Sequence, residues 1–474
     1  MPDEFNGMSR RCPENSDEQR RTLANEHRLL ELGNAVDQRS GTSRNRRQRR
    51  AGPRRRGRVV AISAIVVVVL VAGVLGGGYF YARYRLSQIP RIKDPSLTYP
   101  VSGQPFNILT VGSDSRVGLS ARAAQEVGAG SVSGQRSDVV KIIHVDPANG
   151  TIAILSIPRD TAVTLLANQA LYGKFNRINV NYGNGPSLLT QTIVANFGVP
   201  INHVIQVSFG GLLNAAESIG GVYLDFPYNA HDVVSGLVVN HPGCQLVNGV
   251  QALAVARSRH YLYSPSNRPW PKDGVALYHQ GDLSTLAADG WLYDGTSDYG
   301  RIIRQNAFLR AMFARVKGSL GNPFKINSFL ANLPKGVAID STFTFPEMIG
   351  LALKFHNYNT ATMQTYTLPT YPGLLGSSDV LFVQEPQAEQ LLTQIFGASL
   401  NRPTKPPPAP SGATAMPPVI PVTTTTTART TITTSSSKTT SKHKSTTTTT
   451  HPVTTTTNPS LAVASFDPVP CAPT

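Results

Sequence analysis

The chain has one long uncharged apolar stretch, residues 59–82. As a helix rising 1.5 Å per residue it spans roughly 36 Å, enough to cross a bilayer with some tilt. Tyr79, Phe80 and Tyr81 stand at its far end, where aromatic rings favour the membrane interface. Beyond it the pattern changes to short apolar runs. Residues 107–111 read as a buried strand. Residues 139–145 and 151–157 are rich in β-formers, and Pro147, Ala148, Asn149 and Gly150 between them suit a hairpin turn. Residues 187–197 and 211–219 carry helical apolar spacing, 222–225 is strand-like, and Asn248 predicts the cap of a helix running to about Arg257. Asp298 predicts another cap, for a helix whose Ile302, Met312, Phe313 and Val316 keep an apolar face. Residues 386–396 read as a last helix, opened by proline. Strands alternate with helices, so the fold class is α/β, with a central mixed sheet flanked by helices.

The polar segments set the organisation. Residues 1–58 are charged and almost free of aromatics, which predicts a disordered segment. Arg46, Arg47, Arg49, Arg50, Arg54, Arg55, Arg56 and Arg58 end it, and they supply much of the formal net charge of +16. Such a run suits a nucleic-acid arm or a positive-inside signal; an apolar stretch beginning at Val59 favours the second. The long polar lead and the long apolar run argue against a cleaved signal peptide. The reading is a signal-anchor helix with its N-terminus in the cytoplasm. Arg83 and Arg85 oppose that asymmetry slightly. After a linker, 83–105, the folded domain occupies 106–400 outside the cytoplasm. Residues 401–474 are built from Thr, Ser and Pro and read as a disordered tail, a glycosylated stalk or a wall-threading segment. Cys12, Cys244 and Cys471 show no metal-site spacing. A Cys244–Cys471 disulfide is open to a protein outside the cytoplasm, but a flexible tail around Cys471 argues against it.

The candidate chemistry sits where apolar elements end. Asp114 and Arg116 follow the first strand, and Arg136 and Asp138 open the next. Arg159 and Asp160 follow the hairpin, Arg257 and Arg259 end a helix, and Arg301, Arg304 and Gln305 begin another. Arginine presents a rigid fork of donors matched to phosphate oxygens. Arg301, Arg304 and Gln305 stand at i, i+3 and i+4, so they share one side of a helix near its anion-favouring N-terminus. Asp114 and Asp138 suit a hard cation such as Mg2+ against the same phosphates. Each element alone is more often a cap or a surface ion pair. Arg301 opposes the helix dipole, however, and is harder to read as plain surface. His144, inside an apolar strand, reads as a core or edge residue.

Taken in order, these segments resemble the LytR-CpsA-Psr family. The pieces are 107–116, 136–138 with its strand, 156–160, 177–179, 207–209, 219–222, 246–259 and 300–305. The resemblance covers nearly all of residues 106–317. It implies a membrane-anchored phosphotransferase that moves a glycopolymer from a polyprenyl-pyrophosphate carrier onto peptidoglycan with Mg2+, and with pyrophosphate hydrolysis as a side activity. By matched position, Asp114 and Asp138 would hold the metal. Arg136, Asp138 and Arg257 would be catalytic, and Arg159, Arg177, Arg259, Arg301 and Gln305 would bind the pyrophosphate. The partners implied are the lipid-linked glycan, peptidoglycan and the bilayer, with no nucleic acid. Residues 260–297 depart from the pattern as a large insertion holding Trp270 and Trp291: a lid, an acceptor-glycan surface, or a packing excursion. A non-catalytic polyprenyl-phosphate scaffold is the alternative reading, although lipid binding alone does not need the carboxylate pair. A transcriptional regulator is a third, without a DNA-binding motif and with its large domain on the wrong side of the membrane.

Overall fold

The computed structural model describes residues 53–113, 137–319, 321–397, 400–411 and 466–472. They fall into two units, Met1–Gly78 and Tyr79–Thr474. Helix α1 (Pro53–Ser87) supplies the described part of the first unit and continues into the second. Its stretch Ser63–Ser87 is long and apolar enough to cross a membrane. The helix extends past both ends of the 59–82 apolar run, since its flanks hold mostly helix-tolerant residues.

The second unit is built on a mixed sheet of seven strands. In chain order these are β1 (Arg91–Ile92), β2 (Phe106–Ser113), β3 (Ser137–Asp146), β4 (Thr151–Ile157), β5 (His203–Ser208), β6 (Val337–Asp340) and β7 (Gln364–Thr367). Their spatial order is β1-β6-β5-β2-β3-β4-β7. The pairs β1–β6, β5–β2 and β4–β7 are parallel; β6–β5, β2–β3 and β3–β4 are antiparallel. The β3–β4 hairpin forms where the sequence places it, and Asp146 locks the turn by accepting from the Ala148 and Asn149 amides. The segment 83–105 is not a free linker: Leu86 and Ile89 are buried, and β1 adds a strand to the sheet edge.

Strand alternation divides β3 between two faces. Val140 and Ile142 point into the main core, with Leu109 and Val111 of β2, Leu189 and Ile193 of helix α2 (Pro186–Phe197), and residues of a C-terminal helix, Gln387–Phe396. Val139 and Lys141 point the other way. That opposite face is covered by helices α3 (Phe209–Ser218), α4 (Gly249–Arg257) and α5 (Asp298–Ser319). Ser208 caps α3 through the Gly211 amide, and Asn248 caps α4 through Gln251, as its position predicts. A second core, with Val222, Leu224, Phe226, Val255, Tyr261 and Phe308, lies under α4 and α5. The insertion builds its own small core: Trp291 is 2% exposed, and Trp270 stacks on His231 with centroids 4.2 Å apart. Both tryptophans therefore pack inward, which favours the packing excursion over a sugar-stacking surface.

The tail reading needs correction at both ends. Arg402 and Thr404 bond backbone carbonyls of α2. Val469–Pro470 pairs as a short strand with Val222–Phe226. Asp467 is 2% exposed, and Cys471 is joined to Cys244 in a disulfide. The expectation of a flexible segment around Cys471 fails because Phe466, Pro468 and Val469 give the extreme end apolar surface to bury. Residues 412–465 lie outside the described set, as do residues 1–52 and 114–136.

Candidate functional site

A cavity of about 270 Å3 opens between the sheet and helices α3, α4 and α5. Val207, Phe209, Leu212, Leu253, Phe308 and Leu309 make its apolar part. Arg159, Arg257, Arg259, Arg301 and Gln305 line it as well, so the structure brings together most of the residues singled out for phosphate. The elements explain this convergence: Arg159 leaves the end of β4, Arg257 and Arg259 leave the end of α4, and Arg301 and Gln305 lie in the first turns of α5. Among the described residues, no Asp or Glu lines the cavity.

Local contacts hold these side chains in place. The Arg257 guanidinium lies 4.9 Å from the centroid of the Phe209 ring, a cation–π contact. Asp298 is the first residue of α5. Its carboxylate takes Arg301 Nη2 at 2.6 Å and lies 3.5 Å from Arg259 Nε, so it orients two arginines of the cavity. Gln305 Nε2 donates to the Ala256 carbonyl at 2.9 Å and ties α5 to α4. Arg159 Nε is 3.4 Å from Asp160. Among the described residues, two carboxylates, Asp298 and Asp160, stand against four guanidiniums, which leaves a net positive field in a partly closed space and concentrates an anionic group.

Three expectations come out differently or lie beyond the described residues. Arg177 stands outside the cavity lining; its Nε donates to the Asp379 carbonyl at 2.8 Å and sits 3.6 Å from Asp160. Arg304 does not share the exposed side of Arg301 and Gln305. It is fully buried, donating to Asp294 at 2.9 Å and Asp467 at 2.6 Å and lying 4.5 Å from the Tyr261 ring. Gly300 makes room for that cluster, since a Cβ there would collide with Asp294, Thr296 and Arg304. Asp114 and Arg136 lie outside the described residues, and of Asp138 only the strand backbone is described. Ser113 and Ser137, their sequence neighbours, are paired across β2 and β3 at a register shift. A divalent cation finds no ligand group among the described residues: the described lining is cationic and suits phosphate. The side chains of the two expected carboxylates, Asp114 and Asp138, are not among those described.

Lys141 is the site residue that motif reading missed. It is 2% exposed, lines the cavity, and donates to Ser156 Oγ and Asn306 Oδ1, each at 2.7 Å. Burial, reinforced by repulsion from Arg301 and opposed by Asp298, lowers its pKa to about 7. The signal was present: a lysine inside the apolar run 139–145, on the same strand face as Val139. His260, beside Arg259, also lines the cavity.

The sequence matches the LytR_cpsA_psr family over residues 87–266 and 292–396, more than half of the chain. The chain belongs to the LytR_cpsA_psr family. The break in the family match falls within the insertion that carries Trp270. One relative is the probable cell wall biosynthesis protein LcpB of Corynebacterium glutamicum, 29% identical over 286 residues, 59% of each chain. Another is the polyisoprenyl-teichoic acid–peptidoglycan teichoic acid transferase TagV of Bacillus subtilis, 26% identical over 261 residues, 54% of this chain and 57% of that one. The chain thus spans less than two thirds of the length of these curated relatives. Among solved structures, a LytR-Csp2A-Psr enzyme from Actinomyces oris aligns over 67% of this chain and 99% of its own, at 18% identity and a TM-score of 0.49.

Proposed function

We propose that this LytR_cpsA_psr protein transfers a glycopolymer, with its linking phosphate, from a polyprenyl-pyrophosphate carrier onto peptidoglycan at the outer face of the cell membrane. The observation that carries the reading is the cavity itself. Its apolar interior suits an isoprenyl chain, and the arginines on its lining suit a pyrophosphate. Relatives named as cell wall biosynthesis and teichoic acid transferase proteins support the same class. Helix α1 would anchor the chain, with the folded unit outside.

In this reaction a wall hydroxyl forms a new bond to the sugar-linked phosphorus, and the anhydride bond to the lipid phosphate breaks. Charge then develops on the departing lipid phosphate. Arg159, Arg257, Arg259 and Arg301 face that charge from fixed positions, so little reorganisation accompanies the step. Gln305 and Asp298 keep α4 and α5 in register around it. Asp114 and Asp138 would hold Mg2+, which when bound supplies further positive charge against the pyrophosphate. Asp138 is the candidate acceptor of the hydroxyl proton, and Arg136 stands two residues before it. Arg177, through Asp160, would position Arg159 rather than touch substrate. Attack by water instead of the wall hydroxyl would give pyrophosphate hydrolysis as a side reaction.

The test uses the full chain in detergent micelles with a polyprenyl-pyrophosphate glycan, peptidoglycan and Mg2+. Glycan that sediments covalently with the wall, together with released polyprenyl phosphate, is the expected result. Saturable lipid binding without either product would replace the enzyme with a lipid-binding scaffold.

A further inference from the structure

We propose that Lys141 is a proton-coupled phosphate ligand: it takes up a proton from solvent as an isoprenyl pyrophosphate enters the cavity, and the ammonium so formed binds a ligand oxygen. The inference rests on the anionic ligand proposed above and adds to it a residue and a pH dependence.

The register places Lys141 opposite Thr110 on β2 and Ser156 on β4. Its Nζ reaches Ser156 Oγ and Asn306 Oδ1. Nζ donates to both, so a neutral amine is left with only its lone pair and no N–H to offer a phosphate oxygen. An ammonium brings three donors, and these two partners take two. The third is available to a ligand in the cavity that Lys141 lines. Among the described residues, the charged and titratable groups around that cavity are Arg301 and Asp298 on α5, Arg159 after β4 with Asp160 beside it, and Arg257, Arg259 and His260 after α4. β2 and β5 present uncharged Thr110, Gly112, Val207 and Ser208. Among these groups the balance is cationic, so in the free protein a further charge at Lys141 is opposed by burial first and then by Arg301. A pyrophosphate reverses that balance.

The consequence has a sign. Free Lys141 titrates near 7, and an adjacent anion shifts it upward by about one to three pH units. Below pH 7 the lysine is charged with or without ligand, and binding is tightest. As pH rises through the free value, binding must recruit a proton, and affinity falls about tenfold for each unit by which the ligand raises the midpoint.

The experiment uses the full chain in micelles, with 13C,15N-labelled lysine and farnesyl pyrophosphate as the probe, across pH 6–10. The Lys141 resonance is the one lost in Lys141→Met, and it is confirmed by its displacement in Asn306→Asp. We expect a midpoint near neutrality in the free protein that rises by about one unit or more with ligand. In Asn306→Asp the free midpoint is already raised and the ligand moves it little. A wild-type midpoint unchanged by bound ligand overturns the proposal and leaves the cavity assignment standing. Absence of saturable binding overturns the cavity assignment and this proposal together.

Discussion

Removing the C-terminal clasp should destabilise the folded unit and loosen its site, and the structure gives the size of the effect. Cys244 and Cys471 are 227 positions apart in sequence. In the chain-entropy description, opening a loop of that length restores about 5 kcal/mol of freedom to the unfolded chain. Unfolding entropy scales with size, so for a unit of this length the melting temperature should fall by roughly 5–10 °C. The Asp467 carboxylate, 2.6 Å from Arg304 Nη1, adds a separate contribution. Arg304 is completely buried and retains Asp294, so Asp467→Ala should cost about 3 kcal/mol, the lower end for a broken buried ion pair. The two losses should not add. Once Cys471→Ser frees the strand at Val469–Pro470, Asp467 is no longer held against Arg304, and the double variant should melt close to the worse single one. Calorimetry of wild type, Cys471→Ser, Asp467→Ala and the double variant, with and without reductant, measures this directly. Arg304 lies between Arg301 and Gln305 on α5, so farnesyl pyrophosphate affinity should also fall several-fold in the single variants. Wild-type melting of Cys471→Ser under oxidising conditions would refute the argument, as would strictly additive losses.

Further outcomes follow from the cavity. Lys141 has a lower pKa folded, about 7, than unfolded, about 10.4. The unfolded chain therefore binds the extra proton between those values, and stability should rise with pH there by about 1.4 kcal/mol per unit. Lys141→Met should remove that slope in denaturant titrations at pH 7.5 and 9.5; equal slopes would contradict the buried amine. Arg257→Lys and Arg301→Lys should lose transfer more than farnesyl pyrophosphate affinity, because lysine keeps the charge but not the fork; parallel losses in rate and affinity would point to uniform binding. Asp114→Ala and Asp138→Ala should each lower transfer by at least about a hundredfold. Both should melt normally and bind farnesyl pyrophosphate as wild type in Mg2+-free buffer; full activity of the pair would end the metal assignment.

What the sequence disclosed and what it hid separate along a physical line. Local chemistry was legible: the 147–150 turn, the Asn248 cap, the α2 spacing and the arginines at element ends all depend on residues close in the chain. The partners of those elements were not. Arg301, Arg304 and Gln305 are neighbours on one helical side, yet α5 packs between the cavity and the second core, and that divides the side, sending Arg301 and Gln305 to the cavity and Arg304 into a buried ion cluster. Spacing along one helix carries no information about that division, because Asp294 lies in the insertion's return and Asp467 beyond a long polar segment. The same reason conceals the clasp: averaged over 401–474 the composition is that of an unfolded chain, and the run from Phe466 to Cys471 that docks is too short to change that average. Lys141 is the opposite case. A charge in a run of β-formers conflicts with burial unless something nearby needs it, and strand parity alone puts it on the face of Val139 rather than that of Val140. The conflict was visible in seven residues of sequence, 139–145. Its resolution required the helix that brings Asn306 and Arg301 across the sheet.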